Sequence, residues 1–410
     1  MSIDTGQLVM NWLEALAAIS ESDRDLTRRS FTPEHHSALQ LVAEWMASAG
    51  MSTRIDAMGN LVGHFAGSDP NAPTLLLGSH IDTVKNAGAY DGALGVLLPV
   101  ACVLKLHQAG TSPPFSIDVV AFCDEEGVRF QTTLLGSHAI AGTFEAEWLE
   151  KTDDEGITLG DALRAFGLSP DAVGDASRRG ESFLGFLEVH IEQGPVLESL
   201  DLPVGVVTAI AGATRFAVSV RGDAGHAGTV PMKLRRDPMV AAAEAVIAIE
   251  RLAADTEGAV ATVGMLAAEP GAVNVIPGRV DFSLDARAGD DPTRLALISS
   301  IETALNQIGA QRGVTIELEV THQSNSVACD DGLSEIIAAG IGQLDLQPTF
   351  LPSGAGHDAM AMASLCPVAM LFVRCDQGLS HHPDESITAE DAQVAADVLD
   401  RVFKELTARY

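Results

Sequence analysis

Basic residues are scarce in this sequence. Lysine and arginine together number 25, against 56 aspartates and glutamates, which gives a formal net charge of −31 at pH 7. Nucleic acids and anionic membranes are bound largely through the positive charge of lysine and arginine. The charge therefore argues against both as partners, and such acidity more often serves solubility than recognition of a partner.

Cysteine is also scarce, and long apolar runs are missing. The five cysteines are odd in number, widely spaced and without a C-x-x-C pair, which predicts buried, reduced thiols in a cytosolic protein. No stretch reaches the ~18 consecutive apolar residues of a transmembrane helix. The first residues include Asp4 and Glu14 but no basic region, so we expect no signal peptide. The expectation is a cytoplasmic protein without a membrane span.

Apolar residues, by contrast, are plentiful. They make up 47% of the sequence, which is typical of a globular enzyme with a large core rather than of a disordered chain. The chain has 410 residues, and single cores stop growing at roughly 250–300 residues. We therefore expect two domains.

Four apolar runs with the composition of buried strands are each followed by residues that bind hard metal ions. They are Leu75–Leu77 before His80 and Asp82, Ile117–Cys123 before Glu125 and Glu126, Phe186–Val189 before His190, and Val368–Val373 before His381 and His382. In open α/β sheets, ligands bind beyond the carboxyl ends of the strands, so these side chains are predicted to converge on one rim. Asp91, at the start of the next helix, is a fifth candidate. Three histidines, one aspartate and one glutamate form a ligand set suited to two divalent ions.

Each of these residues also has an ordinary structural explanation. A single histidine after a strand is more often structural than a metal ligand, and Asp91 would serve equally well as a helix N-cap. His80 is better placed, because Asp82 can accept its second ring N–H and fix the tautomer. Glu125 and Glu126 end an apolar strand, where an uncompensated pair would be costly. Because adjacent residues leaving a strand point in different directions, one can bind metal while the other acts as general base.

A change of sequence pattern indicates an inserted domain. Strands and helices alternate up to about residue 212, which predicts a parallel or mixed sheet covered on both faces. The next segment has the order β-α-β-β-α-β of a ferredoxin-like unit, including expected strands at Ala259–Leu266 and Val280–Leu284. We expect an α/β catalytic domain of residues 1–212 and 329–410, and an inserted α+β lid or dimerisation domain of residues 213–328. The hinges are expected near Gly212 and Val327.

Six linked motifs carry a resemblance to a known family. They are Gly78–Thr83, Tyr90–Val96, Asp124–Phe130, His190–Pro195, His226–Met232 and Gly354–Ala359. Together they resemble the M20 metallopeptidase-like family, specifically its amidase branch of N-carbamoyl-L-amino-acid hydrolases, β-ureidopropionases and allantoate amidohydrolases. The resemblance covers nearly the whole chain, from Phe31 to Glu385. Lys85 and Ala87 differ from the residues that are common at these positions in the family. The expected effect of these differences is on the pocket rim and not on the metal site.

The resemblance implies a role for each site residue. One metal would be held by His80, Asp91 and His190, and the second by Asp91, Glu126 and His381, with Asp91 bridging and Glu125 as general base. His381 is chosen over His382 because it lies two residues before Pro383, and a shift of one residue stays open. The family's substrate-binding positions match Gln193, His226, Asn274, Arg287 and His357. Arg287 suits a substrate carboxylate because its planar fork binds in bidentate fashion.

The function implied by the resemblance is that of a metal-dependent amidohydrolase. It would use two divalent ions, Zn²⁺ or Mn²⁺ with Co²⁺ or Ni²⁺ as alternatives, to cleave the ureido C–N bond of an N-carbamoyl-L-amino acid or allantoate-like carboxylate. The products would be ammonia and CO₂. The resemblance also implies a homodimer in which His226 of one subunit reaches the metals of the other; a histidine on a lid over its own site is the alternative.

Other functions stay open at this point. Within enzymes these are an allantoate amidohydrolase specifically, or an N-acyl amino-acid deacylase or exopeptidase on the same scaffold. Outside enzymes the alternative is an inactive dimeric scaffold.

Overall fold

A computed structural model describes residues 4–410, which form two compact units. The main unit comprises the residues up to Thr208, Cys329–Leu351 and Ala355–Tyr410, and the inserted unit comprises Ala209–Ala328 and Pro352–Gly354. We expected the insertion to span 213–328, and its role as a separate domain stays a prediction. Residues 1–3 of the expected first segment lie outside the described range.

The elements follow in chain order. Before the insertion they are α1 (Thr5–Ala17), α2 (Pro33–Ser48), β1 (Ser52–Ile55), β2 (Leu61–Phe65), β3 (Thr74–His80), α3 (Ala93–Gln108), β4 (Ile117–Phe122), α4 (Leu135–Ala141), α5 (Leu159–Ala165), β5 (Phe183–Ile191), α6 (Val196–Ser199) and β6 (Val204–Ile210). The insertion contains β7 (Gly212–Arg221), β8 (Gly225–His226), α7 (Pro238–Ala254), β9 (Ala259–Thr262), β10 (Leu266–Glu269), β11 (Val275–Ile276), β12 (Arg279–Ala288), α8 (Asp291–Arg312), β13 (Thr315–Ser324) and β14 (Val327–Ala328). Then come α9 (Asp331–Gly342), β15 (Phe350–Ser353), α10 (Ala359–Met362), β16 (Val368–Val373) and α11 (Ala389–Arg409).

The sheet of the main unit is mixed, as expected. Its strand order is β1-β2-β4-β3-β5-β16-β6, and β15 also pairs with β6. The central strands β4, β3, β5 and β16 are parallel, whereas β1, β2 and β6 pair antiparallel with their neighbours. Every residue of β4 and β16 is buried, as parallel strands covered on both faces require. The carboxyl ends of the four parallel strands therefore share one edge, and the predicted α/β fold class is confirmed.

The core of the main unit explains why α3 has no polar face. All twelve residues from Ala93 to Leu104 are buried, because α3 packs between β3 on one side and α1 and α11 on the other. A helix surrounded by other elements is apolar all round rather than amphipathic. Within the described range, no helix is long and apolar enough to cross a membrane.

In addition to a two-stranded sheet of β8 and β11, the inserted unit has a five-stranded sheet with two helices on one face. Its strand order is β10-β12-β7-β13, with β9 also paired to β12. Alternate residues of β7 and β12, among them Phe216 and Phe282, pack against α7 and α8. The prediction of one strand over Ala259–Leu266 is wrong: β9 ends at Thr262, and the ladder resumes at Leu266 after Met265 bonds to the backbone and side chain of Ser283.

Candidate metal centre

Two histidine rings are held in the orientation that a metal ligand needs. His80 ends β3 and His190 lies on β5, and both side chains are buried. The Nδ1 of His80 is 2.9 Å from the carbonyl oxygen of Asp82, and the Nδ1 of His190 is 2.9 Å from that of Ile191. A carbonyl only accepts, so Nδ1 carries the proton in both rings and the Nε2 lone pair is free to bind.

Asp82 holds the His80 ring through a different atom from the one predicted. We expected its carboxylate to accept the His80 ring N–H, but the main-chain oxygen does so, and Oδ1 lies 3.9 Å from Nδ1. The carboxylate instead accepts the backbone N–H groups of Glu125 and Glu126, at 3.3 Å each. Asp82 thereby joins the β3 motif to the β4 motif.

Asp91 lies between two groups of candidate ligands. Its Oδ1 is 3.7 Å from His80 Nε2 and 3.1 Å from His190 Nε2. Its Oδ2 is 3.3 Å from His381 Nε2, which in turn is 3.6 Å from Glu126 Oε1. In each group the candidate ligand atoms lie within 4.8 Å of one another. One carboxylate thus faces both groups, with one oxygen for each.

The two glutamates after β4 diverge. Glu125 Oε2 lies 3.8 Å from His80 Nε2, whereas Glu126 is directed to His381. His381, and not the adjacent His382, contacts Asp91; the His382 ring lies against Asp384 instead. The structure therefore brings together His80, Asp91, Glu125, Glu126, His190 and His381.

The electrostatics of these groups fit divalent cations. Burial raises the pKa of Glu125 well above its ordinary value, and burial with the nearby Asp91 raises the pKa of Glu126 to about 7. Burial also opposes ionisation of Asp91, but contacts with His190, His381 and His80 outweigh it and hold the Asp91 pKa well below its ordinary value. Crowded, largely buried carboxylates are stabilised as anions when metal ions neutralise them. The donor set thus fits two such ions.

Gln193 and Ser380 contact the candidate bridging carboxylate. Gln193 Nε2 and Ser380 Oγ each donate to Asp91 Oδ2 at 2.8 Å. Gln193 is predicted at a substrate-binding position, and the structure places its side-chain amide directly beside the candidate metal ligands. The amide is therefore within reach of any group bound there.

His357 lies deep in the same region. It is buried, and its ring meets that of His190 edge-on, with centroids 4.4 Å apart. Burial, assisted by the nearby His190, lowers its pKa well below the ordinary value. His357 is thus a neutral ring packed on a candidate metal ligand.

Two predicted site residues meet in the inserted unit. His226 on β8 is paired with Val275 on β11, and the carbonyl of the adjacent Asn274 accepts the N–H of Ala227. The His226 side chain is exposed, and its Nδ1 accepts the N–H of Gly228 at 3.0 Å. In the neutral ring the proton is therefore on Nε2, which is then a hydrogen-bond donor.

Arg287 lies elsewhere in the inserted unit, on β12, and part of its guanidinium is occupied. Its Nε and Nη2 donate to the two oxygens of Asp285, each at 2.9 Å. Its Nη1 donates to the carbonyl of Gly354 at 2.6 Å. The predicted carboxylate-binding arginine is thus already oriented by an acidic neighbour on its own strand.

Comparison with known proteins gives the family. The model of peptidase family M20/M25/M40 matches residues 76–405. The chain belongs to this family. The crystal structure of a hydantoinase/carbamoylase family amidase from Burkholderia multivorans matches it with a TM-score of 0.92 and 32% identity, over 97% of each chain.

Sequence relatives within the M20 family narrow the branch. The chain is 44% identical to an N-carbamoyl-L-amino acid amidohydrolase of Geobacillus stearothermophilus, over 91% of each chain. It is 43% identical to a probable allantoate deiminase of Oryza sativa subsp. japonica, over 93% of this chain and 85% of that one. The predicted membership in the amidase branch is confirmed, and with it the class of hydrolases acting on non-peptide C–N bonds.

Sequence reasoning missed Glu385, which holds the Asp91 loop of this M20 enzyme. Its Oε1 accepts the backbone N–H of Tyr90 at 2.9 Å and that of Asp91 at 3.0 Å, and its side chain is buried. The available signal was its position, four residues after His381 in the same motif. Glu385 therefore connects the loops that carry two of the candidate ligands.

The segment before α2 was missed as well. Arg28 is buried, and its guanidinium donates to the carbonyl of Ile81 at 2.8 Å and to those of Leu16 and Ile19. Ser30 Oγ accepts the N–H of Asp124 at 2.7 Å. One short segment thus supports the loops after β3 and β4, but in sequence Arg28 and Arg29 resemble an ordinary basic surface pair.

Proposed function

We propose that this protein is a dinuclear metal amidohydrolase. It cleaves the terminal ureido C–N bond of an N-carbamoyl-L-amino acid, or of an allantoate-like ureide, and releases ammonia. The observation that carries this proposal is the arrangement around Asp91, whose two oxygens face separate groups of histidine and carboxylate. The relatives, named as N-carbamoyl amino acid amidohydrolases and an allantoate deiminase, support the ureido substrate.

Two divalent ions fit the donor set. His80, Asp91 and His190 are proposed for one ion, and Asp91, Glu126 and His381 for the other. These nitrogen and oxygen donors include no thiolate and suit Zn²⁺ or Mn²⁺, with Co²⁺ or Ni²⁺ as alternatives. When bound, such ions supply Lewis acidity toward the ureido carbonyl and lower the pKa of water.

Glu125 is proposed to move the proton. As the oxygen of water bonds to the ureido carbon, Glu125 takes the water proton, and it returns that proton to the terminal nitrogen as the C–N bond breaks. Ammonia leaves, and the carbamate that stays on the substrate nitrogen loses CO₂ to give the free amine. This role of Glu125 is supported by the different directions of the two glutamates. Glu125 lies beside His80, whereas Glu126 is directed to His381.

His226 is proposed to stabilise the oxyanion. A hydrogen bond from a fixed donor to a developing negative charge is worth more in the transition state than in the ground state. The Gly228 N–H at Nδ1 leaves Nε2 of the neutral ring as that donor. Asn274, whose backbone holds the His226 loop, is proposed to contact the substrate together with Gln193, His357 and Arg287, and Arg287 to bind its carboxylate.

Assembly and compartment complete the proposal. A homodimer is supported by large apolar side chains that are exposed on the inserted unit of a single chain, namely Met232, Leu234, Ile247, Met265 and Val273. We propose that the dimer supplies His226 to the metals of the other subunit. A cytoplasmic location is supported by five cysteines that all carry free thiols.

A substrate panel tests this function. Ammonia release is measured with N-carbamoyl-L-amino acids, allantoate and dipeptides, and free amino acids are measured in parallel. We expect ammonia from one or both ureides and no cleavage of dipeptides. Cleavage of dipeptides without ammonia release from any ureide would contradict the proposal.

A further inference from the structure

One face of the inserted sheet is not covered by its helices. The side chains of β7 and β12 alternate, so that one set packs on α7 and α8 and the other points away from them. Arg215, Asp285 and Arg287 belong to the outward set. Asp285 lies directly opposite Arg215 on β7 and opposite Thr262 on β9, so these three side chains form a row across the sheet.

Asp285 binds two guanidinium groups at once. Its Oδ1 accepts Arg287 Nε at 2.9 Å, and its Oδ2 accepts Arg287 Nη2 at 2.9 Å and Arg215 Nε at 3.0 Å. The Asp285 and Arg287 side chains are 27% and 28% exposed, so this contact is better shielded from water than an ordinary surface pair. Two positive charges share one negative charge, so the group of Arg215, Asp285 and Arg287 keeps a net positive charge.

The donors that remain on Arg287 can be counted. A guanidinium has five N–H groups. Nε and Nη2 each use one on Asp285, and Nη1 uses one on the carbonyl of Gly354. One N–H is left on each of the two terminal nitrogens, the number that a bidentate carboxylate requires. A hollow of about 640 Å³ adjoins them, lined by Arg215, Asp285, Arg287, Thr262, Ser283 and Thr321 among others.

We propose that Asp285 is a positioning residue that holds Arg287 so that its Nη1 and Nη2 receive the substrate carboxylate. This rests on the proposed function, in which Arg287 binds that carboxylate. A long side chain that is already fixed loses less conformational freedom when its ligand binds. Asp285 therefore strengthens carboxylate binding although it carries the same charge as the ligand, because Arg215 offsets that charge.

The alternative is that Asp285 competes with the substrate carboxylate for Arg287. If Asp285 simply competed with the substrate for the guanidinium, its removal would free the Nε and Nη2 edge and tighten binding. The geometry argues against competition, since the substrate needs two N–H groups and two are free. The sign of the change in KM therefore decides between positioning and competition.

The chain offers a matched control on the same strand. Asp281 accepts Arg279 Nε at 2.8 Å with the same spacing of two residues, and it also points outward. Asp281→Asn removes one negative charge and one arginine–aspartate pair from this face, but it leaves Arg287 untouched. It thus reproduces the change in net charge without the change in Arg287.

The experiment measures kcat and KM for an N-carbamoyl-L-amino acid and for its neutral C-terminal amide. Asp285→Asn is expected to raise KM for the carboxylate about tenfold, with kcat and the KM for the amide nearly unchanged. Asp281→Asn is expected to match the wild type, and Asp285→Glu to recover part of the loss. Arg287→Leu is expected to abolish the preference for the carboxylate.

Each result separates the claims. An unchanged or lowered KM for the carboxylate in Asp285→Asn, or an equal rise in KM for carboxylate and amide, overturns the positioning role. If Arg287→Leu keeps the carboxylate preference, Arg287 does not bind that group, and the positioning role falls with it. If the wild-type protein releases ammonia and Asp285→Asn has the wild-type KM for the carboxylate, the proposed function stands and this inference alone fails.

Discussion

At the scale of single residues, Glu125 and Glu126 leave the same strand and face different partners. Glu125 lies beside His80, and Glu126 lies beside His381. Their backbone N–H groups are both held by the carboxylate of Asp82. This shared anchor fixes the direction of each side chain, so the two residues are proposed to have separate roles.

Substitution of each glutamate tests that division. Glu125→Gln is expected to keep both metal ions and to lower kcat by about 10²–10⁴-fold, because the general base is lost. Glu126→Gln is expected to lower the metal content toward one ion per subunit, because a ligand of the second ion is lost. Metal analysis and steady-state kinetics on both variants check this. Wild-type turnover in Glu125→Gln, or an unchanged metal content in Glu126→Gln, would mean that the roles are assigned wrongly.

The sequence predicted which residues meet at this site, but it did not predict which of their atoms make the contacts. The types and spacing of His80, Asp91, Glu126, His190 and His381 predicted one cluster, and these side chains do meet. The atom of Asp82 that fixes His80 could not be predicted, because the turn after β3 sets it. The Asp285–Arg287 contact likewise depends on the pairing of β12 with β7, which a single sequence does not give.

At the scale of elements, the turn between β3 and α3 determines how close the Asp91 loop lies to His80. Gly92, directly before α3, has φ 64°, in the left-handed region that favours glycine. A Cβ atom at this position would lie 2.4 Å from Cε1 and Nε2 of the His80 ring. Only glycine therefore lets the chain start α3 against this ring.

Gly92→Ala is expected to displace His80 and to lower metal affinity and activity by about 10–100-fold, the usual cost of disturbing the surroundings of a metal ligand. Gly110→Ala is the control, because Gly110 has φ 62° and no atom within 4 Å of an added Cβ. It should cost only the left-handed strain, roughly 1–2 kcal/mol of stability, and leave activity intact. Equal activity of the two variants would show that contact with His80 is unimportant.

The apolar strands of the main sheet were predictable at this scale, but the turns were not. The apolar run Val368–Val373 has the bounds of β16, and the run ending at Cys123 is one residue longer than β4. The positive φ values of Asp124, Gln193 and His381 had no signal in the sequence. Contacts from distant segments, such as Ser30 Oγ on the N–H of Asp124, hold such turns, and local pattern does not report them.

At the scale of the whole molecule, the inserted unit carries His226, Asn274 and Arg287, whereas the candidate metal ligands all belong to the main unit. The exposed side chain of His226 suits a contact with a second copy of the chain. A two-fold dimer is the commonest oligomer and makes every such contact twice.

Mixing two inactive variants tests the proposed sharing of sites. His226→Ala and Glu125→Gln are combined under conditions that allow subunit exchange. If His226 acts on the other subunit, a hybrid dimer has one site with both substitutions and one with neither, and about a quarter of wild-type activity should return at full exchange. No recovery despite proven exchange would place His226 at the site of its own chain.

The most direct test of the whole account is the metal dependence of ammonia release from an N-carbamoyl-L-amino acid or allantoate. The rate is measured on the protein as purified, after chelation and dialysis, and after return of Zn²⁺, Mn²⁺, Co²⁺ or Ni²⁺. The account predicts that chelation abolishes ammonia release and that at least one of these ions restores it, with two ions bound per subunit. Full activity in exhaustively demetallated protein would contradict it.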